Sequence, residues 1–285
     1  MCSIILRVTP EGMFIAANRD EMASRPWEPP AEYWPGICGG RDILAGGTWL
    51  ALNQNGVMAT VLNRTGTLGP APGKRSRGEL PLIALRETSA DAAATAITRL
   101  DAGLYRDFNM VLADAHAAYF VRGLGTGRPE ATPLPEGVSM ITSGEPNDPS
   151  LPRIARHLPR FQAARFADWG KLLADSSGER AEQLNIKAAE NHGFGTICAT
   201  LLALPRQGAP AHLFAAGPPD VAAFTPVCGA APGWLKVGGF RPRLAQKILS
   251  MISSPRPNPA PISSARPKPE LRNAPRIPPC CGGWA

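Results

Sequence analysis

The chain begins with two short apolar segments joined by a four-residue turn, and this arrangement constrains the fold more than any other feature. Residues 3–8 (SIILRV) and 13–17 (MFIAA) flank the turn at residues 9–12 (TPEG). Two apolar segments at this spacing predict a β-hairpin. Because hairpin strands run antiparallel, we expect the polar residues 18–21, which follow the second segment, to lie beside Cys2.

Cys2 carries chemistry that few other positions can supply. Removal of Met1 would leave a thiol and a free α-amine on the same residue. Free α-amines titrate near ~7.7–8.0 and thiols near ~8.5, so the two groups can share a proton near neutral pH. Cys2 is therefore a candidate nucleophile with its own base. The alternative is a buried strand cysteine with no chemical role, since free cysteine is common in protein cores.

The polar segment of Asn18, Arg19, Asp20 and Glu21 ends the second apolar segment abruptly. An arginine beside Cys2 would favour the thiolate, and an aspartate would hold the α-ammonium or anchor the arginine. An asparagine could donate to a developing oxyanion. A solvated turn remains the alternative interpretation of these four residues.

Several short motifs together resemble the NRDE family, which includes the transport and Golgi organisation protein 2 group. They are Met1-Cys2-Ser3, residues 17–21 (ANRDE), Arg25-Pro26, residues 39–42 (GGRD), residues 46–49 (GGTW), Asn63-Arg64, residues 76–80 (SRGEL), residues 108–114 (FNMVLAD) and residues 195–200 (GTICAT). The resemblance covers about residues 1–220. That family is similar to N-terminal-nucleophile hydrolases of the cholylglycine hydrolase type. The resemblance implies an α+β fold, a four-layer αββα sandwich, and amide-bond chemistry.

The resemblance also implies roles for individual residues. Cys2 matches the N-terminal nucleophile, Arg19 and Asp20 match a catalytic arginine and aspartate, and Asn63 looks like an asparagine that helps to form the oxyanion hole. A turn residue is the alternative for Asn63. The implied function is hydrolysis of a small amide or related acyl substrate, with no cofactor. The alternative is a binding or trafficking protein for haem or an acyl lipid, in which Cys2 could be a soft ligand.

Two positions depart from the family pattern. Gly144 stands where an oxyanion asparagine is usual, so that residue is missing or displaced to Asn147. Ile197 stands where an arginine is often found. Three tryptophans, Trp27, Trp34 and Trp49, fall near the proposed site and could line a pocket for an acyl or ring-bearing ligand, with core packing as the alternative.

The charge distribution predicts two regions, residues 1–226 as the domain with the motifs and residues 227–285 as a basic extension. The extension has nine Lys or Arg residues and one acidic residue, whereas residues 1–226 have a net charge of −1. That net charge gives no sign of the basic face that nucleic-acid binding by the folded domain would need. The extension is rich in proline, which predicts disorder, and we do not expect it to contact membranes.

The remaining patterns favour hairpins, then helices, then hairpins, an order that suits an α+β layered fold. Strands are predicted at residues 48–53, 57–63, 108–114, 118–122, 196–204 and 211–216. Helices are predicted after Ser76 and at residues 92–100, 153–175 and 178–190. The four histidines match no metal-ligand spacing, so no metal site is expected. The cysteines show no disulfide framework and no signal or membrane segment is evident, so a cytoplasmic location is predicted.

Overall fold

The computed structural model describes residues 2–190 and 192–227 and contains two antiparallel sheets. The strands, in chain order, are β1 (Ser3–Thr9), β2 (Gly12–Met22), β3 (Trp27–Trp34), β4 (Ile37–Asp42), β5 (Leu50–Asn53), β6 (Met58–Asn63), β7 (Phe108–Ala113), β8 (Ala118–Gly123), β9 (Glu130–Pro133), β10 (Gly137–Ile141), β11 (Phe194–Pro205), β12 (Ala211–Ala215) and β13 (Thr225–Pro226). The first sheet has the order β10-β1-β2-β11-β12-β13 and the second the order β3-β4-β5-β6-β7-β8-β9.

The helices lie on the outer faces of the two sheets. They are α1 (Leu80–Ala84), α2 (Ala90–Thr98), α3 (Pro152–Ala163) and α4 (Trp169–Leu173). Short 3₁₀ turns occur at Arg77–Glu79, Ala102–Leu104, Phe166–Asp168 and Ala188–Glu190. In the part of the chain described here, no helix has the length and apolar character that crossing a membrane requires.

Three buried apolar clusters fill the spaces between neighbouring layers. One lies between the sheets and includes Ile4, Leu6, Met58 and Leu202. A second packs α1 and α2 on the outer face of the second sheet. A third packs α3 and α4 on the outer face of the first sheet, around the fully buried Trp169. This arrangement confirms the predicted four-layer αββα sandwich of the α+β class.

The predicted N-terminal hairpin is confirmed, but its second strand is longer than the apolar pattern indicates. Ser3 pairs with Asn18, and Thr9 pairs with Gly12 across the turn. β2 continues to Met22 because β11 pairs with it along its whole length. Residues 18–21 therefore lie within a strand beside Cys2, as expected, and the alternative of a solvated turn is wrong.

Most of the other predicted elements agree with the structure, and the exceptions have physical reasons. The helix predicted at residues 178–190 is wrong beyond the short turn at Ala188–Glu190, and Gly178 has a φ of 85° that no helix contains. β3 was not predicted because Pro29 and Pro30 interrupt its pattern. It is the edge strand of its sheet, where a missing N–H costs little. Beyond Val227, the predicted C-terminal extension lies outside the described residues.

Candidate active site

Cys2 lies immediately before β1, where the thiol faces the space between the two sheets. Its Sγ donates to the backbone oxygen of Asp20, at 3.7 Å. The partly buried side chain lines a small cavity of about 20 Å³ and also a larger one of about 460 Å³. The larger cavity is open to solvent on one side and has the volume of a small-molecule site. The thiol is therefore within reach of a ligand of metabolite size.

Strand geometry places the four residues of the NRDE segment on two different faces of β2, because successive side chains alternate. Arg19 points between the sheets, on the same face as Cys2 and Ile15. Asn18 points to the helical layer, where its amide donates to the carbonyls of Leu173 and Leu184. Asn18 is thus not positioned to donate to an oxyanion at Cys2, contrary to expectation.

The Arg19 guanidinium is held by an acidic residue of the opposite sheet and by a tryptophan ring. Its Nη2 donates to Asp42 Oδ2 at 2.9 Å, and Asp42 also accepts from Arg25 Nε at 2.6 Å. The guanidinium carbon lies 4.0 Å from the centroid of Trp49, which is a cation–π contact. No described group hydrogen-bonds to the other terminal nitrogen, Nη1, which is buried where Arg19 lines both cavities.

Two glycines of the family-like motifs allow the close packing around Trp49. A Cβ at Gly40 would lie 2.1 Å from the Trp49 ring, so a side chain there would displace the indole. A Cβ at Gly47 would lie 2.4 Å from the backbone of Gly78, which packs against the turn before Trp49. Thr48 N also donates to the Gly78 carbonyl in this contact. The two glycines therefore position the ring beneath Arg19 and hold the segment around residue 78 against the cavity.

Asp20 points to the helical layer and forms a buried network with residues from three elements. Its Oδ2 accepts from Arg153 Nη1 of α3 at 3.0 Å, and its Oδ1 accepts from Thr196 Oγ1 of β11 at 2.7 Å. Arg153 also donates to Ser3 Oγ at 3.0 Å. The side chains of Asp20 and Arg153 are 0% and 8% exposed. The sequence neighbours Arg19 and Asp20 are thus each paired with a distant partner, not with each other.

The surroundings of Cys2 favour the neutral thiol. Burial raises the pKa of the Cys2 thiol, and the negative charge of Asp20 raises it further, while Arg19 acts in the opposite direction. Burial also raises the pKa of the Cys198 thiol, which lines the small cavity on β11 and is 1% exposed. A reaction at Cys2 would therefore need a base to remove the thiol proton during attack.

Two further predicted residues share the larger cavity with Cys2. Asn63 at the end of β6 and Glu21 on β2 both line it. Glu21 Oε2 lies 3.8 Å from Arg25 Nε. Trp49 lines both cavities, and Trp27 packs edge-on against Trp49 with centroids 5.9 Å apart.

Two others are placed elsewhere. Asn147 lines neither cavity. Its side chain accepts from the backbone N–H of Met140 on β10 at 2.7 Å, so it completes the sheet edge. Trp34 packs against the cluster that lies between the second sheet and helices α1 and α2.

Asp42, within the GGRD motif, and Arg153, the first residue of a predicted helix, were given no role from the sequence. For Arg153 a signal was present in the sequence. The residue stands directly after Pro152 at the start of a predicted helix, where the helix dipole disfavours a cation. A buried arginine at such a position indicates a dedicated carboxylate partner. For Asp42 we find no such signal, because its partner lies on a strand of the other sheet.

The comparisons with known proteins agree with this geometry. Residues 1–165 match the model of a family described as Transport and Golgi organisation 2. No curated protein sequence matches the chain.

Among solved structures, the N-acylethanolamine-hydrolyzing acid amidase ortholog of Caenorhabditis elegans is similar with a TM-score of 0.50 and 11% identity, over 71% of this chain and 92% of that one. Penicillin V acylase from Agrobacterium tumefaciens has a TM-score of 0.45 and 12% identity, over 79% and 84%. The mutant C2A conjugated bile acid hydrolase from Clostridium perfringens has a TM-score of 0.44 and 9% identity, over 80% and 97%. At these identities the likeness concerns the fold.

Proposed function

Because the chain belongs to the Transport and Golgi organisation 2 family and has the fold of N-terminal-nucleophile hydrolases, we propose that it hydrolyses an amide or related acyl compound with Cys2 as the nucleophile. The observation that carries the proposal is the position of the thiol. Cys2 lies immediately before β1, and it lines a cavity of about 460 Å³ together with Arg19 and Asn63. An N-terminal nucleophile needs this combination of a chain terminus, a thiol and an adjoining substrate cavity.

The first half of the proposed reaction forms a thioester. After removal of Met1, the free α-amine of Cys2 takes the thiol proton as Sγ attacks the acyl carbon. Burial raises the pKa of the Cys2 thiol, so the thiol stays protonated until it reacts. A base on the same residue can take that proton while the bond between Sγ and the acyl carbon forms. The tetrahedral intermediate then collapses, the C–N bond breaks, and the departing amine takes the proton from the α-ammonium.

The second half releases the acyl group. A water molecule attacks the thioester carbon and gives one proton to the α-amine. The C–S bond then breaks, the thiolate regains that proton, and the acyl group leaves as a carboxylic acid. The overall result is addition of one water across the amide bond, with Cys2 regenerated.

Two groups are suited to stabilise the oxyanion. Asn63 lines the same cavity as the thiol and carries an amide donor. Arg19 lines the cavity too, and its Nη1 is buried without a partner among the described residues. An unpaired buried donor costs stability in the free protein, so a charge that develops beside it gains a strong hydrogen bond.

Intact mass spectrometry of the full chain tests the proposal directly. The protein is purified from a cytoplasm with normal methionine processing and incubated with an electrophilic β-lactone probe. We expect loss of Met1 and a single adduct on Cys2, and we expect Cys2→Ser to slow acylation by at least about 100-fold, since serine lacks the thiol's nucleophilicity. Cys38→Ser is the matched control and should label normally, because Cys38 is 6% exposed and outside both cavities. Retention of Met1, or labelling of Cys38 and Cys198 with Cys2 unmodified, would refute the mechanism.

A second candidate function is binding of an acyl ligand without turnover, and the raised pKa of Cys2 favours it, because a neutral thiol is a poor nucleophile when no base is nearby. In that case Cys2→Ala would bind ligand as tightly as the native chain. No feature of the described cavity selects haem over an acyl ligand. A cytoplasmic location is part of both proposals, since a reducing compartment keeps Cys2 as a thiol.

A further inference from the structure

The larger cavity is lined unevenly by charge. The described residues that line it include six basic ones, Arg19, Arg25, Lys74, Arg75, Arg77 and Arg106, and three acidic ones, Asp20, Glu21 and Asp42, of which Asp20 turns its carboxylate to the helical layer. The three carboxylates lie on β2 and β4, and each has a cationic neighbour on that side or in the helical layer. Lys74, Arg75, Arg77 and Arg106 lie on the segments that follow β6 and precede β7. We call these four residues the basic wall.

The bonds of the basic wall position its charges but leave most of them uncompensated. Arg75 is paired with Glu79. The other three donate to backbone carbonyls: Lys74 to Gly103; Arg77 to Thr67, Gly69 and Asp107; and Arg106 to Gly66, Leu68, Gly69 and Pro70. A carbonyl is an acceptor without net charge, so it fixes a guanidinium without neutralising it.

Arg77 is a partly buried cation with another cation, Arg106, as a neighbour. Burial and, to a smaller extent, the neighbouring charge of Arg106 together lower the pKa of Arg77 to about 10. Cys2, Asp107 and Glu21 act in the opposite direction but do not reverse the effect. Arg77 and Cys2 line the same cavity, so the guanidinium and the thiol can contact one molecule bound there.

We propose that the basic wall binds an anionic group, a phosphate or a carboxylate, on the acyl compound whose carbonyl meets Cys2. This inference rests on the proposed function for the identity of the reacting end of the ligand. Guanidinium groups held in a fixed orientation suit two-point contact with such oxyanions. The substrate class is therefore an anionic acyl amide or ester of metabolite size, not a neutral lipid.

The binding step is tested without any chemistry, on full-length protein carrying Cys2→Ala. Thermal unfolding is followed at constant ionic strength while sodium pyrophosphate or sodium citrate is added, because a ligand that binds only the folded state raises Tm in proportion to ln(1 + [L]/Kd). We expect the Lys74→Gln/Arg106→Gln double variant to weaken Kd by about tenfold or more. If the double variant loses more affinity for pyrophosphate than for citrate, the subsite binds phosphate. If it loses more affinity for citrate, the subsite binds carboxylate.

The control for this experiment is Arg7→Gln. Arg7 also donates to backbone carbonyls, those of Phe161 and Ala164, but it is not in the cavity lining. The Arg7→Gln variant should therefore bind both anions with a Kd within about twofold of the unsubstituted value. Lys74→Gln alone provides a milder variant in case the double variant does not fold, because Lys74 is exposed. No Tm increase with either anion, or equal increases in the native and variant proteins, would overturn the subsite.

The link to Cys2 is tested with a matched pair of β-lactone probes, one ending in a carboxylate and the other in its methyl ester. We expect the carboxylate probe to acylate Cys2 about tenfold faster in the native chain, and the two rates to converge in the double variant. Equal rates in the native chain would overturn the subsite and leave the proposed function intact. Anion binding without acylation by either probe would instead refute the proposed function, and with it the assignment of an acyl substrate.

Discussion

Loss of the buried pair between Arg153 and Asp20 should cost far more stability than loss of a surface pair. In Arg153→Met, a chain of similar length replaces the guanidinium and leaves the Asp20 carboxylate, which is 0% exposed, without that partner. Two hydrogen bonds of Arg153 disappear, to Asp20 at 3.0 Å and to Ser3 at 3.0 Å. Bonds to charged groups contribute about 1.5–3 kcal/mol each and neutral ones about 1 kcal/mol. With the loss of this cationic partner at a buried carboxylate included, we expect a total of about 3–5 kcal/mol.

Urea unfolding of the full chain, followed by tryptophan fluorescence, measures this loss. A slope of about 2–3 kcal/mol per molar urea converts it into a midpoint decrease of about 1–2.5 M. The matched control is Arg165→Met, since Arg165 is 81% exposed and lies 3.5 Å from Asp168, and it should cost less than about 1 kcal/mol. A cost for Arg153→Met as small as that of the control would refute the reasoning from burial.

A double-mutant cycle identifies the cause. Adding Asp20→Asn to Arg153→Met removes the carboxylate charge that Arg153 contacts. The stability cost of the double variant should therefore be smaller than the sum of the two single costs by about 2 kcal/mol or more. If the two costs simply add, Arg153 stabilises the protein through packing and not through the carboxylate.

Three further predictions concern packing, pH and the second buried carboxylate. Gly47→Ala should destabilise by about 1–3 kcal/mol, because its Cβ would lie 2.4 Å from backbone, whereas Gly78→Ala, whose nearest contacts are at 3.4 Å, should cost much less in the same urea assay. Burial lowers the pKa of His157 to about 4, below its unfolded value of about 6.5, so the unfolded chain gains a proton first and stability should fall as the pH drops from 6.5 towards 4. His157→Gln should flatten that pH dependence, and an unchanged slope would show that another group is responsible. Asp42→Asn should cost about 3 kcal/mol, since its carboxylate binds two arginines and is 12% exposed, whereas Glu28→Gln, at a pair of partly exposed side chains, should cost less than about 1 kcal/mol.

The sequence predicted the scaffold better than the site, and the N-terminal hairpin shows why. Its strands and turn are encoded in local apolar periodicity and in the turn residues 9–12. Local patterns also located β6, β7, β8 and β11, which are central strands with continuous apolar runs. By contrast, β3 is an edge strand containing two prolines, and its strand conformation depends on pairing with β4. The pattern of residues 178–190 suggested a helix, but the positive φ at Gly178 interrupts it.

The sequence by itself determined that Cys2 opens the first strand and that residues 18–21 return beside it, because a hairpin is a local structure. Only the tertiary structure decided which groups act on them. Arg19 and Asp20 are adjacent in the chain, yet strand alternation turns them to opposite faces, where Asp42, 23 residues away, binds one and Arg153, 133 residues away, binds the other. Asp42 lies beside Arg19 because the second sheet packs on one face of β2, and Arg153 lies beside Asp20 because α3 packs on the other face. Such contacts depend on how the layers pack, which no periodicity in a single segment encodes.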